Sequence, residues 1–400
     1  MDQTGRLHAF DNLRAVMMWL GIVLHVAVNH TTGISLLPWH DWQDSPVADL
    51  LLAFIHAFRM PTFFILAGFF VALLVASRGY KEMLRHRMRR LALPFAIFWP
   101  VLIVSMSVLM LVYLHMMVYR TAGIDLSLLA QKTDKKSPFT TMHMWFLYYL
   151  IWFSLLTAVL APAAARLPEK VRSYAHTVYR ALAGKWWGVL VLTVPLAAAG
   201  SFYPMGQVTP NGSFIPNAAE LLHNGLFFTF GFFLHRHQDV LFPRYTSKGW
   251  WYAAVGLVGF VLAGAAMRTA KADPGSVPHI ILWFGFLYNL TSWLWSLALI
   301  GLFLRYVSTQ NSVLRYVSES SYWAFLVHML GTVGFGILIY NLEIGAVAKM
   351  ALNILLTTIA CLVTYQLFVR HTVIGTLLNG KRRPKAVTAP AAIDAVEAQT

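Results

Sequence analysis

Residues 91–119 contain no Asp, Glu, Lys or Arg. As an α-helix at 1.5 Å per residue, such a run exceeds the roughly 30 Å apolar thickness of a bilayer. Comparable runs recur along the whole chain, too many for one aqueous core to bury. Spans are expected near residues 11–32, 50–76, 92–118, 143–163, 186–201, 219–237, 250–267, 280–304, 319–340 and 347–369. Composition agrees, with 58% hydrophobic and 12% charged residues, where a soluble chain carries about 25% charged. The expectation is an all-α, polytopic helical membrane protein of about ten transmembrane helices.

The net charge of +15 would suggest a nucleic-acid partner in a soluble chain. Here its distribution points to membrane orientation instead, and no nucleic acid is expected. With the N-terminus inside, 23 of the 31 Lys and Arg fall on cytoplasmic segments, which predicts that both termini are cytoplasmic. The opposite loops are richer in Trp, Pro, Asn, Gly and Asp, residues suited to turns and interfacial anchoring. Residues 1–10 are polar and no small-residue cleavage site follows the first apolar run, so the first helix is expected to stay as an anchor. Residues 1–380 read as one membrane domain and 381–400 as a disordered cytoplasmic tail, basic at its start and then Ala/Pro-rich. The lone cysteine, Cys361, has no intramolecular partner to oxidise with.

Ionisable residues inside such spans are costly, so they mark candidate chemistry. Arg14 and His25 are eleven residues apart in the first span, three helical turns, and project from nearly one face roughly 16 Å apart along the axis. Asp11, Met18, Gly21 and Asn29 share that stripe, with Asp11 placed to pair with Arg14 and Gly21 opening a notch one turn before His25. His25 reads either as a base on a substrate path or as a neutral histidine bonded between helices. In the second span His56 and Arg59 lie one turn apart, Arg59 at a depth similar to His25. A buried arginine keeps its proton and therefore needs a carboxylate such as Glu220, a carbonyl cluster or an anionic substrate. The basic run 85–90 either grips phosphates, with Arg87 and Arg90, or sets orientation against anionic lipid. His143 and Trp145 open the fourth span and His328 sits midway in the ninth. No HExxH, paired axial-histidine pattern, Walker loop or GxSxG elbow occurs, so no metal is expected.

Five segments in order resemble the acyltransferase 3 family of membrane O-acyltransferases. They are the Arg14/His25 pair, the FFILAGFF run from Phe63 to Phe70, Arg87/Arg90 followed by Pro94, the WFL run at Trp145, and SYWAFLVH ending at His328. One departure is Ala67, where the family often carries serine. The runs FIHAFRM, LHV and HMWFL are most similar to members that succinylate periplasmic glucans. The resemblance implies a multi-pass protein of the bacterial inner membrane. It would take acyl-CoA, as succinyl-CoA or acetyl-CoA, from the cytoplasm and pass the acyl group to a hydroxyl of an external polysaccharide such as a glucan. His25 is then the expected catalytic base, and Arg14, Arg87 and Arg90 the expected grip on CoA. His56, Arg59, His143, Trp145 and His328 are the expected substrate-binding residues. Arg59 would stabilise the oxyanion or clamp a succinyl carboxylate. An anion transporter, or an acyltransferase acting on lipid or peptidoglycan, remains the competing reading.

Overall fold

A computed structural model describes residues 3–33, 37–128, 140–203, 206–273 and 278–380, and among them every regular element is helical. The segment 381–400, expected as a tail, lies outside the described residues. In chain order the helices are α1 (Gln3–Ala27), α2 (Pro46–Arg87), α3 (Leu93–Tyr119), α4 (Trp145–Ala165), α5 (Glu169–Gly184), α6 (Gly188–Gly200), α7 (Ala218–Ala272), α8 (Ile280–Tyr306), α9 (Ser312–Ile339), α10 (Ala346–Thr364) and α11 (Val373–Asn379). Several begin on local signals. Ser45 caps α2 by accepting from the Val47 N–H at 3.2 Å, with Pro46 and Asp49 in its first turn. Asn217 caps α7 and Asn311 caps α9 in the same manner.

Seven helical stretches are long and apolar enough to cross a membrane, or eight when the bent pair α5 and α6 counts as one. The protein is thus an all-α polytopic membrane protein. Two of these stretches each contain two of the segments that hydropathy separates. Pro46–Tyr119 runs through α2 and α3, which are joined by the π-helical turn Met88–Ala92 and broken at Gly79, whose φ of 77° suits a residue without Cβ. Ala218–Ala272 folds back on itself around Pro243 to Gly249. Phe227 packs against Trp293 at 4.3 Å and the Tyr245 carbonyl abuts Gly301, whereas Gly249 meets Leu302 and Gly259 meets Thr291. Contacts therefore climb α8 and then descend it. The expected span at 186–201 corresponds to α6, whose 13 residues, about 20 Å, meet α5 at 96°.

Helix α1 lies inside the bundle. It runs antiparallel to α2, with Phe10 against Phe69 at 4.7 Å and Met17 against Arg59. It runs beside α9, with His25 level with His328. Gly68 and Gly231 let α2 and α7 touch backbone to backbone, since a Cβ on Gly68 would collide with the Phe228 carbonyl.

Candidate active site

The π-helical turn after α2 decides which arginines of the basic run face inward. Arg87 and Arg90 line a cavity of about 900 Å³, whereas Arg89 is exposed and lines none of it. Arg14 reaches the same cavity from α1, paired with Asp11 at 3.1 Å. Arg315 and Arg370 join them from α9 and from the turn after α10. Arg87 donates Nε to Ser154 at 3.4 Å, while its buried Nη2 has no partner among the described residues; neither does Nε of Arg370. Arg90 is held by donating to the Leu377 carbonyl at 3.2 Å, and the Arg90 carbonyl accepts from the Tyr322 hydroxyl at 2.8 Å. Five guanidinium groups line this cavity, two with unused buried donors, a concentration of positive charge and N–H donors of the kind that suits an anion.

Further in, the lining turns apolar: Met18, Phe63, Ala67, Phe146, Leu147 and Phe325. Phe325 marks the boundary with a polar cluster, its ring 5.9 Å from His143 and 6.3 Å from His328. In that cluster His328 lies 5.1 Å from His25 and 5.3 Å from His143, ring centre to ring centre. Two of the three rings have fixed tautomers. Nδ1 of His328 faces the carbonyls of Phe325 (2.9 Å) and Ala324 (3.1 Å), which only accept, so it carries the proton. Its Nε2 lone pair is buried without a partner. Nε2 of His143 likewise donates to the Leu326 carbonyl at 3.1 Å, leaving Nδ1 free. His25 is half-buried and makes no hydrogen bond among the described residues. Its ring packs against His328 in this cluster.

Arg59 stands beside the histidines with little to hold it. It is 5% exposed and donates Nε to the Met17 carbonyl at 3.1 Å. No carboxylate pairs with it among the described residues. The Glu220 pairing left open by the sequence does not form, because Glu220 accepts from the Asn211 N–H at 3.0 Å instead. A Cβ on Gly21 would come within 2.9 Å of Nη2 and 3.7 Å of His328 Nε2, so the guanidinium and the His328 ring meet at the notch that Gly21 leaves in α1.

The expected substrate residues divide between two places. Arg59, His143 and His328 surround His25. His56 and Trp145 instead line a cleft of about 30 Å³ with Glu220, His223 and Gln207, where Nδ1 of His56 is 3.1 Å from the Tyr288 hydroxyl. Arg315, Arg370 and Tyr322 went unassigned in the sequence. The first two counted only toward orientation, and Tyr322 was visible as the second residue of the Ser321–His328 motif. Among the described residues no three His, Cys, Asp or Glu side chains converge as a metal site.

An arginine-lined mouth, an apolar passage and a histidine–arginine cluster in one helical bundle suit transfer of an activated group through a membrane. The family model for the acyltransferase domain matches residues 7–367, and the chain belongs to the acyltransferase 3 family of membrane acyltransferases. Among curated relatives it is similar to glucans biosynthesis protein C of Escherichia coli O1:K1, 24% identical over 83% of each chain. It is also similar to that of Salmonella schwarzengrund, 22% identical over 94% of this chain and 95% of the relative. No solved structure matches the chain.

Proposed function

We propose that this acyltransferase moves an acyl group from acyl-CoA on the cytoplasmic side to a hydroxyl of an extracytoplasmic glucan, as a multi-pass protein of the bacterial inner membrane. The observation that carries this reading is the continuity of the 900 Å³ cavity, from its arginine mouth to Phe325 at the edge of the histidine cluster. Its volume lies at the upper end of the roughly 300–1,000 Å³ typical of small-molecule sites. Phosphates would be held by Arg87, Arg90 and Arg370, and the acyl arm would follow the apolar passage inward. The excess of Lys and Arg on the same face supports placing that face in the cytoplasm.

At the inner end His25 takes the proton of the acceptor hydroxyl as its oxygen attacks the thioester carbonyl. The new C–O bond forms, the C–S bond breaks, and the proton passes to the departing thiolate. The guanidinium of Arg59, with most of its donors unengaged, stabilises the oxyanion of the tetrahedral intermediate or holds the carboxylate of a succinyl group. The names of the relatives support a glucan acceptor.

The test is acyl transfer in membrane vesicles, using succinyl-CoA or acetyl-CoA and the unsubstituted glucan fraction of cells that lack the protein. Replacing His25 by Ala should lower turnover by roughly 10²–10⁴-fold, the usual contribution of a positioned base. Full activity in that variant would remove His25 from the chemistry.

A further inference from the structure

The small cleft beside Trp145 is not part of the arginine-lined cavity. Its walls are His56, one turn before Arg59 on α2, and Trp145, two residues after His143 on α4. Both stand toward the ends of their helices that are remote from Arg87 and Ser154. Loop 206–217 covers it, bringing Gln207, Val208 and Pro210 to the cleft and leaving Thr209 and Asn211 exposed.

Its chemistry is opposite to that of the cavity mouth. Glu220 is 1% exposed, and its Oε2 is buried with no hydrogen-bond partner among the described residues, though the Tyr149 hydroxyl stands beside the carboxylate. Gln207 Oε1 is also buried and unpartnered. These two oxygens only accept, and leaving such groups unsatisfied in a buried site is costly. An anion would be repelled by the carboxylate. The Tyr149 hydroxyl, which accepts from the Asn217 N–H at 3.2 Å, can turn its proton to Glu220, and a further hydroxyl donor fits the space left beside Gln207. A space of about 30 Å³ equals the share of one water molecule in the liquid, enough for a hydroxyl group but not for a sugar ring.

We infer that this cleft is the acceptor subsite, in which Glu220 and Gln207 take hydrogen bonds from hydroxyl groups of a neutral carbohydrate lying against Trp145 and loop 206–217. The inference rests on the acyltransferase reading above and adds to it the side chains that select the acceptor. It implies discrimination against acceptors carrying a phosphate or carboxylate near the hydroxyls that enter. Glu220 and Gln207 are binding residues here and take no part in proton transfer.

Two variants test it in the vesicle assay with the unsubstituted glucan fraction and succinyl-CoA. Glu220→Gln keeps shape but removes the charge, and Gln207→Leu removes an acceptor from the loop without touching helix α7. Each should raise KM for glucan roughly ten- to a hundredfold, the worth of a lost buried hydrogen bond to a charged or polar group. KM for succinyl-CoA and turnover at saturating glucan should stay within about twofold, since neither residue lines the donor cavity. An unchanged KM for glucan in both variants, or a donor KM that rises in step with it, overturns the subsite while leaving transfer itself standing. Absence of any transfer by the unaltered protein is a different failure, which removes the acyltransfer reading and the subsite with it.

Discussion

Two cations are buried in this molecule with opposite surroundings. Lys349 has no exposed side-chain surface, and its ammonium donates to both oxygens of Asp41 (3.0 and 3.1 Å) and to the Tyr340 carbonyl (2.6 Å). Three donors meet three acceptors, and the Trp42 ring lies 4.9 Å away. Arg59, nearly as deep, has five N–H donors and places one of them, on the Met17 carbonyl. The saturated cation ties loop and helix ends together at a closed site. The unsaturated one lies beside a cluster of three histidines, next to the apolar wall at Phe325 where the arginine-lined cavity ends. Burial is common to both, so burial alone does not distinguish structural charge from charge kept available for a substrate. The count of satisfied donors does.

The largest effect should come from breaking the saturated site. Lys349→Met leaves the Asp41 carboxylate buried without its partner, which typically costs about 3–5 kcal/mol. Thermal unfolding in detergent should show that loss, and adding Asp41→Leu should recover most of it, because an apolar pair of similar volume replaces a buried ion pair at little cost. A single variant as stable as the parent would mean that Asp41 finds another partner and that the clamp is not structural.

Next in size is the reverse experiment. Arg59→Met removes one hydrogen bond, worth about 0.5–1.5 kcal/mol, and relieves an unpaired buried charge, so the melting temperature should hardly move. Turnover should fall by roughly 10²–10³-fold, as when an oxyanion donor is removed. Measuring both donors sharpens the assignment: equal losses with acetyl-CoA and succinyl-CoA indicate the oxyanion, and a larger loss with succinyl-CoA indicates the carboxylate clamp. Lost stability with retained turnover would put Arg59 in the same class as Lys349.

The contrast between these sites also shows what a sequence can disclose. The Arg14–His25 stripe was legible because both residues share one helix, where spacing alone fixes the face. So were most of the apolar segments, whose length is dictated by lipid thickness. The Lys349–Asp41 pair was not, since its members are 308 positions apart and each taken alone resembles an ordinary loop charge. Arg315 and Arg370 escaped for the same reason: their convergence on Arg87 is a property of helix packing. The sequence placed Arg59 level with His25 by counting residues inward from a helix end. In the structure both side chains stand beside His328, a meeting that three separate helices bring about. Helix α6 was legible to within two residues at each end, but the 96° turn from α5 was not, because hydropathy does not register where a helix turns sharply away from its predecessor.

The smallest expected effect tests whether the exact placement of the unsaturated cation matters. Gly21 is the residue of α1 that faces Arg59, and an added Cβ would stand 2.9 Å from Nη2, tighter than van der Waals contact allows. The atom it meets is the far end of a flexible side chain, so the guanidinium yields by a few tenths of an ångström and the fold is not disrupted. Gly21→Ala should therefore make α1 more stable, by up to about 1 kcal/mol from helix propensity. Turnover should nevertheless fall roughly tenfold, since catalytic donors lose effect steeply with sub-ångström misplacement. Stability and activity moving in opposite directions is the signature expected of a site organised around free donors. The same substitution next to a saturated cation such as Lys349 would lower both. A Gly21→Ala variant with undiminished turnover would show that the guanidinium acts at a distance, as a general positive field, and not through directed hydrogen bonds.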